Sequence, residues 1–340
     1  MAKTFASRAQ TLPGPKNPSI VRAMVGRFPI LYLAEAEPEA AVMSSGALAY
    51  LVEAMPQASF TIVGSPESAP LFADTPRLRK LIVLEKEGHL EWLNLWSQLQ
   101  AVRWGLVVDM RGSALSGKLK RQKRAVRGEP EPGLHAVEQA ARVLHLDDAP
   151  PPRLYCSDET VAQVDAMIPV GVEHILAVGP GAEWMGRRWP AERYATVATA
   201  LVGDGGPLAG AHVMVVGKEA DREAAHLLRL SLKRDRVIEL QGRLSLLQTA
   251  AALRHAALYI GGDSVWTQLA VAAGAPVVAA FGPSDEHERG PWGGVTVRGP
   301  RSVDDYRRID PKLNQALQHM NDVPAERVLK AARKLLAERV

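Results

Sequence analysis

Short apolar runs of strand length recur along this chain, and most are followed by a stretch with helical spacing. In the first half the runs are Ile30-Leu31-Tyr32-Leu33, Phe60-Thr61-Ile62-Val63, Leu81-Ile82-Val83-Leu84 and Leu106-Val107-Val108-Asp109. Helical periodicity covers about Val42 to Met55, and Leu90, Leu93, Leu95, Trp96 and Leu99 mark a second helix. Apolar runs without alternation belong to strands buried on both faces, so the pattern predicts parallel sheets covered by helices. The pattern breaks between Asp147 and Arg153, where Pro150, Pro151 and Pro152 stand in a row. Three prolines stiffen a segment and deny it hydrogen-bonded pairing. The alternation then restarts, with strands at Ile175–Val178, Val213–Val216, Val237–Leu240, Leu258–Ile260 and Val277–Phe281. Helices fall between them, and a last helix runs from about Ala325 to Glu338.

A chain of 340 residues interrupted once in this way reads as two doubly wound α/β domains facing across a cleft. The expected partition is a basic leader over 1–27, an N-terminal Rossmann-like domain over 28–146 and a linker over 147–173. A C-terminal Rossmann-like domain follows over 174–322, with a closing helix over 323–340. Ligands of such sheets sit at the carboxyl ends of the strands, so the cleft is the expected site.

Hydrophobic residues at 47% and charged residues at 23% are ordinary for a globular protein. The single cysteine, Cys156, excludes an internal disulfide and a Cys-rich metal site, which suits a reducing cytoplasm. No run is long and apolar enough to span a bilayer, and Met1 to Pro29 lacks the apolar segment of a secretory signal. The net charge of +4 is unevenly placed: Lys118, Lys120, Arg121, Lys123, Arg124 and Arg127 form a cluster after the fourth strand run. Such a cluster either receives phosphates or lines a solvated helix face.

Chemistry concentrates at strand ends. Gly261-Gly262-Asp263-Ser264 directly follows an apolar run and directly precedes a helix. Glycine lets the backbone approach a ligand closely, Ser264 is a candidate helix cap, and Asp263 is placed to accept hydrogen bonds from sugar hydroxyls. A second strand ends in Gly179-Pro180-Gly181-Ala182, followed by Arg187-Arg188-Trp189-Pro190. The Arg187 guanidinium suits a diphosphate, because its planar fork matches phosphate oxygens. Gly112 to Lys118 has the spacing of a phosphate loop, but Leu119 lacks the metal-binding hydroxyl; that stretch reads as a loop end feeding the basic cluster. His135 and Glu138 have no third partner for a zinc site, and no GxGxxG fingerprint follows the first strand.

The second half resembles glycosyltransferase family 9, the ADP-heptose:lipopolysaccharide heptosyltransferases, which have the GT-B fold. The stretches that carry the resemblance are PGAEWMGRRWPAERY (180–194), VVGKEADREAA (215–225), LQGRLSLLQTAAALRHAALYIGGDS (240–264), LAVAAGAPVVAAFGPSDEHERGPWG (269–293) and HMNDVPAERVLKAARKLL (319–336). The first half follows more loosely through VVDMRGSALSGKLKR (107–121) and HAVEQAARVLHL (135–146).

The resemblance implies metal-independent, inverting transfer from a nucleotide-diphosphate sugar, an ADP-sugar first among them, to an anionic lipid-linked glycan. It implies no cofactor and no nucleic acid partner, in a cytoplasmic protein that touches the inner membrane face. Arg187 stands where the family has a phosphate-binding Lys, Asp263 and Ser264 at its donor-contacting pair, and Glu219 near the stretch that meets the nucleoside; Gly181 lies in the donor-side turn. The family's continuation of Gly, two variable residues and His reads Val265-Trp266-Thr267-Gln268 here, so Gln268 replaces a histidine and Val265 a glycine. The family's Gly-Asp base dipeptide aligns with Glu39-Ala40, which makes Glu39 the candidate base beside Glu35 and Glu37. Lys118, Lys120, Arg121 and Arg124 would receive the acceptor. Two rivals to an active transferase stand on the same residues: a non-catalytic GT-B binding module, favoured by the departures at 39–40 and 265–268, and an epimerase-like sugar-nucleotide enzyme.

Overall fold

The computed structural model describes residues 28–86, 88–232, 234–313 and 317–339; the basic leader expected over 1–27 lies outside these. Two parallel sheets form two lobes. The N-terminal lobe runs β1 (Phe28–Leu33), α1 (Pro38–Met43), α2 (Ser45–Ala54), β2 (Ala58–Gly64), β3 (Leu78–Val83), α3 (His89–Leu99), β4 (Trp104–Asp109), α4 (Leu115–Lys118), β5 (Arg121–Val126) and α5 (Ala136–Val143). After α6 (Asp158–Asp165) the second lobe runs β6 (Ile175–Gly179), α7 (Ala191–Val202), β7 (His212–Val215), α8 (Arg222–Ser231), β8 (Val237–Glu239), α9 (Leu246–Leu253), β9 (Ala256–Gly262), α10 (Val265–Ala272) and β10 (Val277–Phe281). It closes with α11 (Glu286–Arg289), β11 (Val295–Arg298), α12 (Val303–Ile309) and α13 (Ala325–Ala337).

The first sheet has the order β3-β2-β1-β4-β5 and the second β11-β10-β9-β6-β7-β8. Strand order therefore reverses between β1 and β4 in one lobe and between β6 and β9 in the other. Crevices open at the carboxyl ends of these pairs, because the crossovers on either side leave to opposite faces. The register Leu33↔Asp109 and Gly179↔Gly261 brings those paired ends level with each other.

The expected helix over Val42 to Met55 is two helices. Ser44 and Ser45 bend the chain, their hydroxyls donating back to Ala41 O at 3.2 Å and Val42 O at 2.6 Å, a local competitor to the helical ladder. The basic cluster is neither loop nor helix face: it is largely the edge strand β5, bonded to β4 alone. Lysine and arginine on an edge strand oppose edge-to-edge pairing.

The lobes share one apolar core. Tyr32, Val42 and Phe60 from the first belong to the same buried cluster as Ala177, Trp266 and Phe281 from the second. Helix α10 packs on α1 across the divide. The linker is fastened to the first lobe: Arg153 N donates to Ser45 Oγ at 2.9 Å, and Pro151 O lies so near Gly46 that an added Cβ would sit 2.6 Å from it. Close approach also governs Gly179 at the end of β6. A Cβ there would fall on the Tyr259 hydroxyl and lie 3.1 Å from Trp266 Cβ. Gly179→Ala is therefore expected to destabilise the fold by about 1–3 kcal/mol, the usual cost of overpacking, read as a lower urea midpoint with an unchanged m-value.

Candidate active site

Four charged side chains converge where the two reversal points face each other. Glu39 comes from the loop that leaves β1. Pro38 supplies the first helical position, where its missing N–H costs nothing, and Glu39 follows in the first turn of α1. Arg187 ends the 3-10 turn Met185–Arg187 after β6, Asp263 directly follows β9, and Arg289 ends α11 after β10.

Arg187 Nε lies 2.9 Å from Asp263 Oδ2, and Arg187 Nη1 lies 4.0 Å from Glu39 Oε2. Arg289 Nη2 lies 2.8 Å from Glu39 Oε1. Asp263 is 2% exposed, and neither of its carboxylate oxygens accepts a well-aligned hydrogen bond. Its charge is thus met by one guanidinium at short range. Burial pushes the Glu39 carboxyl above its ordinary range, and the neighbouring Asp263 pushes it further; Arg289 and Arg187 pull the other way. Burial works against the Arg289 charge, but Glu39 and then Asp263 outweigh it and hold the guanidinium above its usual value.

Arg289 is fixed from both lobes. Gln268, fully buried, donates from Nε2 to Arg289 O at 2.8 Å. His135, the N-cap of α5, accepts Val137 N–H on Nδ1 at 3.2 Å, so Nε2 carries the proton and donates to Gly290 O at 3.0 Å. Its ring lies 4.9 Å from that of Trp292, and burial lowers its pKa. Gly133 N donates to Glu288 Oε1 at 3.0 Å.

The sequence-derived candidates fare unequally. Glu39, Arg187, Asp263 and Gln268 come together in this cluster. Of the three neighbouring glutamates only Glu39 joins this cluster; Glu35 is ion-paired with Arg127, and Glu37 is exposed. Ser264 holds the N-cap position of α10, but its hydroxyl makes no cap bond, which corrects the capping expected of it. Gly181 is a glycine because Asp221 Oδ2 occupies the space a Cβ would take; that carboxylate accepts Lys218 N–H at 2.8 Å and lies 3.6 Å from Arg188. Glu219 lies apart, in an exposed pair with Arg222 at 2.7 Å. Val265 and Trp266 are buried in the shared core, and the ion partners of Arg187 are Glu39 and Asp263.

Arg289 escaped the sequence reading. The signal was the one that marked Arg187: a basic residue in a Gly- and Pro-bounded turn after an apolar strand, here between Phe281-Gly282-Pro283 and Gly290-Pro291.

On the first lobe, Lys118 borders a cavity of about 1050 Å³ at the carboxyl edge of the sheet. Arg121 is folded back onto Gly117 O and Leu119 O at 3.0 and 2.8 Å, and Arg124 donates to Ser116 Oγ at 3.1 Å. Lys120 is exposed.

Comparison with known proteins agrees with this fold. A family model of glycosyltransferase family 9 (heptosyltransferase) matches residues 96–298. Lipopolysaccharide heptosyltransferase 3 of Escherichia coli is 22% identical over 335 residues, covering 87% of this chain and 95% of that protein. A solved family 9 glycosyltransferase from Veillonella parvula superposes with a TM-score of 0.72 at 20% identity, over 93% of this chain and 99% of its own. The E. coli ADP-heptose heptosyltransferase II does so with 0.71 at 19%, over 92% and 99%, and an E. coli heptosyltransferase solved with ADP with 0.66 at 16%, over 92% and 100%. The fold is GT-B, and the chain belongs to glycosyltransferase family 9.

Proposed function

We propose that this protein transfers a heptose-like sugar from an ADP-sugar to an anionic, lipid-linked glycan of the lipopolysaccharide-core kind, with inversion and without a metal ion. The observation that carries this reading is the meeting of Glu39, Arg187, Asp263 and Arg289 across the two reversal points. Two guanidiniums aimed at one place suit the two phosphates of a nucleotide diphosphate, and they supply there the positive charge that stabilises a departing phosphate. Asp263 then lies beside the donor sugar.

In the free protein the guanidiniums hold Glu39 instead. An arriving diphosphate competes for them and releases that carboxylate. Glu39 takes the proton of an acceptor hydroxyl; the resulting oxygen attacks the anomeric carbon as the bond to the diphosphate breaks, and the nucleotide leaves with the bonding electrons. Attack opposite the leaving group inverts the anomeric centre. The raised pKa of Glu39 suits a base, since a more basic carboxylate takes a proton more readily. Lys118, Lys120, Arg121 and Arg124 flank the acceptor side. The reading, carried by the family membership, is of a cytoplasmic protein that meets its lipid-linked acceptor at the membrane surface, and none of the helices among the described residues is long and apolar enough to cross a membrane.

A second reading, a GT-B binding module without turnover, draws on Val265, which stands where the family pattern has a glycine, and on Trp266 beside it, both packed into the interlobe core. Titration calorimetry with ADP and ADP-heptose, followed by an assay for ADP release on core acceptor, separates the two. Binding of ADP with release on acceptor is the expected result. Absence of nucleotide binding would sink the transferase reading.

A further inference from the structure

We infer that His135 is a positioning residue for the donor diphosphate: standing on the first lobe, it holds the turn of the second lobe that presents Arg289 to the cleft. That the ligand is a diphosphate rests on the transferase reading; the hold itself does not. The helix α11, Glu286–Arg289, has four residues and buries none of them. A single turn without a buried residue cannot fix a side chain by its own hydrogen bonds. Its place is set from outside. Arg298 Nε donates to Glu286 Oε1 at 2.9 Å at its start, and Gln268 holds the carbonyl of Arg289 at its end, both within the second lobe. The next carbonyl, Gly290 O, is taken by His135 from 155 positions away. Gly290 is buried, and a buried carbonyl deprived of its donor is costly.

The imidazole divides two tasks between its nitrogens. Nδ1 accepts Val137 N–H at 3.2 Å and so starts α5, while Nε2 donates to Gly290 O at 3.0 Å and so crosses between the lobes. Only the neutral ring does both, and burial favours the neutral ring. The residue is pinned as well: Glu138 Oε2 accepts His135 N–H at 3.1 Å, and the Trp292 ring packs 4.9 Å from the imidazole. Helix α5 packs in turn against α1, the helix that carries Glu39. One helix of the first lobe therefore sets both members of the Glu39–Arg289 contact, which measures 2.8 Å. The carboxylate is placed by packing, the guanidinium by a hydrogen bond to the residue after it. A cation delivered in this way stays in register with the base on the opposite lobe. A turn that came loose would carry it away from a phosphate beside Asp263.

Two variants of the whole protein separate the tasks of the two nitrogens. Asparagine reaches as far as Nδ1 and caps helices well, but it falls short of Gly290 O. Glutamine extends its amide nitrogen to the place of Nε2 but offers no acceptor to Val137 where Nδ1 stood. Amide hydrogen exchange of the ligand-free protein, read by mass spectrometry, follows the segments 285–293 and 136–143. His135→Asn is expected to speed exchange over 285–293, where Arg289 N and Gly290 N donate to Asp285 O and Glu286 O, and to leave 136–143 unchanged. His135→Gln is expected to do the reverse. In titration calorimetry with ADP, His135→Asn is expected to raise Kd roughly 3- to 10-fold, the size of one lost hydrogen bond, and His135→Gln to keep it within about twofold. In His135→Asn, wild-type exchange over 285–293 or wild-type ADP affinity would overturn the inference. So would equal loosening of both segments by both variants, the mark of a ring that only fills space. If the unaltered protein bound no ADP, the transferase reading would fail and the diphosphate with it; the exchange pattern would still decide whether His135 holds the turn.

Discussion

Replacing Glu39 with Gln is expected to lower kcat by roughly 10²–10⁴-fold, the range for loss of a positioned general base, and to tighten ADP binding at the same time. The two effects have one origin. Glu39 contacts Arg289 at 2.8 Å and stands 4.0 Å from Arg187, so in the free protein its carboxylate occupies the guanidiniums that a diphosphate needs. The amide keeps the shape of the side chain but carries no charge to compete and takes up no proton. A residue that merely braced the cleft would weaken both nucleotide binding and turnover when altered. Opposite signs in the two measurements identify a base that is masked until the donor arrives. If Glu39→Gln turned over at the wild-type rate, Glu39 would have no part in proton transfer.

The pH dependence follows from the same environment. Burial and Asp263 hold the folded-state pKa of Glu39 above its unfolded value. Its ionised, base-competent form therefore disappears at a higher pH than for an ordinary glutamate, and the acid limb of kcat/KM is expected above the usual carboxylate range. For stability the sign is reversed. The native state binds this proton more tightly than the unfolded state, so the contribution of Glu39 is largest at low pH and is lost as pH rises through the raised pKa.

Strand and helix alternation was readable because central strands of a parallel sheet are apolar on both faces. Val277–Phe281 and the helix Ala191–Val202 stand where the periodicity puts them. The edges were not readable in the same way. Strand β5 reads RQKRAV and has only Ala125 buried, so solvent on its open side removes the apolar run on which such a reading depends. Strand β11 is likewise a short edge strand with one buried residue. At the site, Arg187 and Asp263 were visible as residues after glycine-rich strand ends, and Glu39 by counting from the first strand. Its principal partner was not. Arg289 meets Glu39 across the lobes from 250 positions away, through a turn held by Gln268 and His135, and no local pattern records a contact of that range. Gln268 thereby has a structural role: it fixes the backbone of an arginine.

Arg187→Met is expected to cost about 2–4 kcal/mol of stability, somewhat less than a fully buried pair because the arginine side chain keeps 23% exposure while Asp263 keeps 2%. The loss arises from the carboxylate left behind. Asp263 has no well-aligned hydrogen bond to fall back on, so removing the guanidinium at 2.9 Å leaves a buried charge unmet. Adding Asp263→Asn removes that charge, and the double variant is expected to recover roughly 1–3 kcal/mol relative to the sum of the single changes, a coupling of the size found for residues in direct contact. Urea unfolding of the four proteins measures it, and additive losses would show that the pair is not coupled. ADP affinity gives an independent reading: loss of a charged donor to phosphate is expected to raise Kd by roughly 10–100-fold. That loss persists in the double variant, where Asp263→Asn has relieved the buried carboxylate. Stability that recovers while ADP affinity does not would separate the two tasks of Arg187, neutralising its own protein when the cleft is empty and the nucleotide when it is filled.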